Sequence, residues 1–144
     1  MKRIFSLAFF VAVCLLSTVF SQTPEWGRVI QTNNYGNQNV NAVTADNSFN
    51  YIAASISGAV TFDGVSYTSA GFRDMLVVKM NQLGNVVWKK LVSTQPKGYI
   101  YAKTCKVDDV GNLYIVGYFS GTATIGTKTI NSLTGDNSFV AKFN

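Results

Sequence analysis

The 144-residue sequence contains no histidine and a single glutamate, Glu25, close to its beginning. Without imidazole there is no Ser-His-Asp triad, no histidine zinc ligand and no usual general base near neutral pH. Cysteine is almost as scarce, with Cys14 and Cys105 the two present. Cys14 falls in a leader-like segment, so the mature chain keeps Cys105 alone and has no internal disulfide, although an exported protein would be permitted one. Cys105 reads as a small buried hydrophobe; a reactive thiol would need exposure and a positive neighbourhood. Charged residues make up 13% of the chain, and beyond Lys2-Arg3 the only adjacent basic pair is Lys89-Lys90. That is no basic stripe interleaved with aromatics, which argues against nucleic acid as a partner. No glycine-rich loop follows a strand and opens a helix, so nucleotide binding has no support and no cofactor is implied.

What is present begins with a targeting segment. Lys2 and Arg3 precede the run IFSLAFFVAVCLLSTVF, apolar apart from Ser6, Ser17 and Thr18. Val19, Phe20 and Ser21 suit a cleavage site, so residues 1–21 read as a signal peptide and residues 22–144 as the mature region. The competing reading is a retained membrane anchor. A spanning helix wants roughly 18 uninterrupted apolar residues, and this run is shorter and broken by polar side chains. Lipid attachment at Cys14 is disfavoured because Val13 is larger than the small residue such a cut prefers. Cleavage lowers the formal charge from +5 to +3. The expected location is secreted or cell-surface, with no membrane span left after cleavage.

The mature region is one unit written twice, the signature of a repeat architecture. DNSFNYIAASISGAVTF (46–62) aligns with DVGNLYIVGYFSGTATI (109–125). Asp46 meets Asp109, Tyr51 meets Tyr114, Gly58 meets Gly121 and Thr61 meets Thr124, at a constant spacing of 63 residues. The register runs on without a gap through Val77/Val140, Lys79/Lys142 and Asn81/Asn144. Trp26 and Trp88 open similar phrases, WGRVIQT and WKKLVST, but lie 62 residues apart. A one-residue length difference is therefore expected between tryptophan and aspartate.

Each unit reads as strands joined by turn chemistry, with no helical periodicity. The first strand is VNAVTAD or AKTCKVDD, the second YIAASIS or LYIVGYFS, and the third DMLVVKM or SFVAKF. VVWKKLV is the fourth, with WGRVI as its counterpart. Asp63-Gly64 signals a two-residue hairpin, because both central residues of that turn need positive φ. Gly126-Thr127 stands there in the second copy and weakens the signal. In the second strand Tyr114, Val116 and Tyr118 point one way and Ile115, Gly117 and Phe119 the other. Both faces are apolar, so both should be covered. Four-stranded antiparallel sheets sandwiched between their own kind are blades of a β-propeller.

These residues resemble the SBBP-type β-propeller repeat of secreted bacterial proteins. The pattern is carried by Asp109, Gly111, Asn112, Tyr114, Gly117, Ser120, Gly121, Ile125, Phe139, Val140 and Lys142, and in the first copy by Tyr51, Gly58, Phe62, Leu76, Val77, Lys79, Gly84, Asn85 and Trp88. The first copy departs from it at Ser48-Phe49-Asn50 and at Ala54. The resemblance implies a seven- or eight-bladed propeller, a secreted or surface location, no catalytic activity, and partners that are mostly undefined.

The expected fold is thus all-β: two four-stranded antiparallel blades of a partial propeller over residues 22–144, the second lacking its last strand. A propeller closes with roughly 4–8 blades. A handful of bare apolar side chains per outer face forfeits on the order of 10 kcal/mol, which rivals a domain's net stability. Two readings follow: an N-terminal fragment of a longer protein with further blades in cis, or a homo-oligomer in which WGRVI closes a blade. Asp46 and Asp109 recur at a turn and are expected to accept backbone N–H bonds. The alternatives are a glycosidase pair and calcium held near Asp108-Asp109, for which the usual spaced oxygen ligands are missing. Lys79 and Lys142 mark a solvated strand edge or blade rim. Tyr114 and Tyr118 are expected in inter-blade packing, whereas Tyr99 and Tyr101, in the linker TQPKGYIY, are the candidate ligand contacts. Trp26, Asp46, Tyr51, Gly58, Trp88, Asp109, Tyr114 and Gly121 are the structural repeat positions. The expected function is an exported, non-catalytic scaffold or adhesin-like module with a protein or glycan ligand. The alternative is a sugar-binding lectin assembled from two-blade chains.

Overall fold

The computed structural model describes residues 26–32 and 36–144, within which the chain is all-β, built of antiparallel sheets with no helix. The signal peptide expected at residues 1–21 lies outside the described residues. A short β1 (Gln31–Thr32) comes first. The first unit then supplies β2 (Asn39–Ala45), β3 (Phe49–Ile56), β4 (Ala59–Phe62), β5 (Val65–Thr68), β6 (Asp74–Asn81) and β7 (Val86–Thr94). The second supplies β8 (Tyr99–Val107), β9 (Leu113–Ser120), β10 (Thr122–Ile125), β11 (Lys128–Asn131) and β12 (Asn137–Phe143). Tyr99 and Tyr101, expected in a linker, are the first and third residues of β8.

The units repeat down to their irregularities. β2 bulges at Asn41 against β3, and β8 bulges at Lys103 against β9. Gly58 and Gly121, at φ 70° and 79°, turn the chain out of β3 and β9 in a left-handed conformation that glycine adopts without strain. The Ser69 N–H then donates to the Gly58 carbonyl at 3.0 Å, and the Ser132 N–H to that of Gly121 at 2.8 Å. The hairpins that follow close as their turn residues dictate. Asp63 and Gly64 both carry positive φ, whereas in the second hairpin Gly126 does so alone, the pattern of a glycine-first turn.

Each hairpin leaves its own unit. β10–β11 pairs with β7 of the first unit, Ala123 opposite Thr94 and Thr124 opposite Ser93. β4–β5 pairs with β1 in the same register, Val60 opposite Thr32 and Thr61 opposite Gln31. The first unit's expected four-stranded sheet therefore becomes six-stranded, in the order β11-β10-β7-β6-β3-β2, and the second unit contributes β12-β9-β8. Of the expected strand WGRVI, only the following Gln31–Thr32 pairs. Trp26–Ile30 has no described strand to lie along. It is tied down by side chains instead, with the Trp26 indole N–H donating to the Gln82 carbonyl (2.8 Å) and Arg28 Nε to that of Gly84 (2.7 Å).

The core lies between the sheets. One cluster joins Tyr51, Ala53 and Val77 of the first unit to Cys105, Ile115 and Phe139 of the second. On the other side of the first unit, Leu76, Val78 and Met80 pack under Val60 and Phe62 of β4. β6 is accordingly buried on both faces from Asp74 to Val78. β9 differs from expectation. Leu113, Ile115 and Phe119 are buried, but Tyr114 and Tyr118 are half-exposed and Val116 is exposed. That face points away from the sheet of the first unit.

Candidate functional site

Two arrangements are built from polar and aromatic side chains. The first is a turn present in both units. Asp46 ends β2, its Oδ1 accepting the N–H groups of Ser48 and Phe49, both at 2.7 Å, and its Oδ2 the Tyr51 hydroxyl at 2.8 Å. Lys79 Nζ stands 4.0 Å from the Phe49 ring centroid and 5.2 Å from that of Tyr51. In the second unit the same work falls to Asp108. It accepts the N–H groups of Val110 (3.1 Å) and Asn112 (2.8 Å), the Asn112 side-chain amide (2.7 Å) and the Tyr114 hydroxyl (3.3 Å). Lys142 Nζ lies 5.6 Å from the Tyr114 ring.

The structural counterpart of Asp46 is thus Asp108, not Asp109, which takes no part in these hydrogen bonds. The reason is where the units differ in length. Ala45 pairs with Asn50 and Val107 with Leu113, so the second turn holds the extra residue after its carboxylate, not before it. Gly111, at φ 86°, accommodates the longer loop. Lys79 lies on β6, between β3 and β7, so it is not at a strand edge, whereas Lys142 is exposed on β12, an edge among the described strands; each ammonium rests on a tyrosine of its own unit.

Electrostatics follow from this geometry. Burial, the largest single influence on Asp46, pushes its pKa up, but the hydrogen bonds from Ser48, Tyr51 and Phe49 and the Lys79 charge outweigh it and hold the carboxyl below its ordinary value. Asp108 is also held low, chiefly by the Asn112 side chain. Burial, then the bond to Asp46 and the charges of Asp46 and Asp108, push the Tyr51 hydroxyl up to about 12. The two turns flank an open cleft of about 570 Å³ lined by residues 45–49 and 107–111. Of the three aspartates lining it, Asp46 and Asp108 are held by the turns themselves. Among the described residues no group of three Asp, Glu, Cys or His side chains is placed to hold a metal ion.

The second arrangement is a tyrosine cluster on the outer face of β8 and β9. Tyr101 sits opposite Tyr118 in the strand register, and their rings stack at 5.1 Å between centroids, 21° from parallel. Tyr99 meets both edge-on, at 5.6 Å from Tyr101 and 6.4 Å from Tyr118, and its hydroxyl donates to Asp136. That hydrogen bond is the main cause of a raised Tyr99 pKa. Lys103, the bulge residue of β8, places its ammonium 5.0 Å from the Tyr118 ring. From the first unit, Arg73 bridges to Tyr99 along the backbone and holds its guanidinium 5.5 Å from the Tyr101 ring.

The structure therefore brings Tyr99 and Tyr101 together and adds Tyr118, which the sequence placed in packing between blades. Strand pairing carries that signal, since two aromatics facing each other across a register share a face. Arg73, Lys103 and Asp136 had no such signal, because they come from three separate elements. The repeat positions lie elsewhere. Trp88 stacks on Phe143 at 6.3 Å, Trp26 packs on Gly84, where a side-chain carbon would come within 2.6 Å of its ring, and Tyr51 and Tyr114 belong to the turns.

Together these features describe an all-β repeat protein whose two units stack face to face and share strands. No family model, curated protein or solved structure matches the chain.

Proposed function

We propose that the chain is an exported, non-catalytic scaffold: adjacent blades of a β-propeller serving as an adhesin-like interaction module. One observation carries this reading. A hairpin is handed back from each unit to the sheet before it in one register, Thr61 opposite Gln31 and Thr124 opposite Ser93. Such an arrangement stacks sheets in series, as a propeller requires. Five of the six described aspartates fit a structural role. Asp46 and Asp108 hold turns, buried Asp74 holds the end of β7, Asp63 pairs with Lys89 at 3.0 Å, and Asp136 accepts from Tyr99.

The tyrosine cluster favours a second reading, a lectin-like module. Stacked rings flanked by hydroxyl, carboxylate and cationic groups match a sugar's apolar ring face and its hydroxyl edge. In the exporting host, the protein recovered from the medium or cell surface should begin at Gln22, as read by N-terminal sequencing. Retention of residues 1–21 inside the cell would defeat the exported scaffold. Glycan-array binding abolished by Tyr99→Ala and Tyr101→Ala supports the lectin; binding that survives both removes it.

A further inference from the structure

Two outer surfaces of the chain are the unfilled halves of an interface the chain builds internally. Between the units, the rear face of β2, β3 and β6 is buried against the front face of β8, β9 and β12. On β2 of the first unit and on β9 and β12 of the second, the same positions on the outer sides stay apolar but bare, while Leu76, Val78 and Met80 are already covered by β4. Val140, the counterpart of Val77, is 72% exposed against 0%, and Val43, the counterpart of Cys105, is 61% exposed against 7%. Val116 and Val40 repeat the contrast with Ala53 and Ala102. The edges are complementary as well. Among the described strands β12 pairs with β9 alone, while Trp26–Ile30 carries the phrase of a fourth strand without a third strand beside it.

We infer that these surfaces are filled by a second copy of this chain, stacked head to tail, an assembly that rests on the blade reading above. The front face of one copy's first unit covers the rear face of the other's second unit, and Trp26–Thr32 lies antiparallel along β12. The register follows from β6 and β7, where Val77 faces Lys90 and Met75 faces Val92. Carried over, Arg28 faces Val140 and Ile30 faces Ser138. Because β4–β5 is already joined to β1, the completed sheet runs β5-β4-β1-β12-β9-β8, the same order as β11-β10-β7-β6-β3-β2. Side-chain volume is redistributed rather than lost, with Val116 larger than Ala53 and Ser138 smaller than Met75. The two halves are different surfaces, so the contact is heterologous and repeats until the rotation closes. With two units per chain and roughly 4–8 blades to a propeller, closure takes two to four copies. Asn39, the counterpart of Tyr101, stays exposed although the second unit covers its neighbours, whereas Ser55, the counterpart of Tyr118, is fully buried, so the assembly leaves Tyr101 on its rim and covers Tyr118.

Light scattering on the mature chain, residues 22–144, at micromolar concentration tests this. The expected mass is that of two to four chains. Val43→Glu or Val140→Glu, both at positions exposed in a single chain, should each reduce it to one chain. An equal mixture of the two variants should give two chains, since one intact pair of faces survives. Arg28→Cys with Val140→Cys should cross-link chains on oxidation, and neither substitution alone should. A wild-type mass of one chain, or an oligomer that tolerates both glutamates, overturns the inference. A single-chain protein that is nonetheless exported refutes the assembly and leaves the scaffold reading intact. Assembly of a chain that is never exported does the reverse.

Discussion

Among the described residues Asp74 is the one carboxylate buried from solvent. It is fully buried at the head of β6, its Oδ1 accepting the N–H and the hydroxyl of Thr94 and its Oδ2 the N–H of Ala70, each at 2.9 Å. The loop it anchors is tight, since a side-chain carbon on Gly71 would fall 2.0 Å from Thr94 Oγ1. Thr94 is also the residue that receives β10, so one carboxylate aligns β6, β7 and the incoming hairpin. Removing it strands a buried N–H. Asp74→Ala should therefore cost about 2–3 kcal/mol in urea unfolding, whereas Asp74→Asn, which keeps an acceptor, should cost less. None of this is legible in DMLVVKM, which reads correctly as a strand; its partner Thr94 is twenty residues away and unmarked.

At the scale of elements, the strands and turns were legible because their signals are local. Alternation, Asp63-Gly64 and the glycines at 58 and 121 depend on neighbours within a few residues. The turn after β2 and β8 shows where such reading stops. Two adjacent aspartates, Asp108 and Asp109, are equivalent as letters, and the ungapped alignment picks the wrong one. Only the cross-strand register fixes which carboxylate faces the tyrosine. The first-unit turn also makes a pH prediction. The Tyr51 pKa is raised from 10.0 to about 12, so the fold binds the phenolic proton more tightly than the unfolded chain does. That contribution is fully present below pH 10 and is lost as pH rises through about 12. Thermal unfolding followed by circular dichroism should show the melting temperature falling more steeply over this range in the wild type than in Tyr51→Phe. Parallel slopes would place the hydroxyl outside the Asp46 turn.

For the whole molecule, a second strand apolar on both faces calls for cover on both, which β3 receives from Ala53 to Ile56 and β9 does not, since its Val116 face stays bare. The exchange of hairpins was not legible. β10 lies between β9 and β12 in sequence, and nothing local says that it pairs with β7 instead. The same limit hid part of the tyrosine cluster: Tyr101 and Tyr118 meet by pairing within one sheet, but Arg73 reaches them only once the sheets are stacked. The exchange is the central claim, because it turns two consecutive units into one interlocked body and sets the register for any further unit. Ser93→Cys with Thr124→Cys tests it directly. Opposed residues in an antiparallel pair sit roughly 4.5–5.5 Å apart between Cα atoms, within disulfide range. On mild oxidation the double variant should lose both new thiols to a bond within one chain and melt at a higher temperature. If both thiols stay free and titratable in the folded protein, β10 does not lie on β7, and the interlocked stack is wrong.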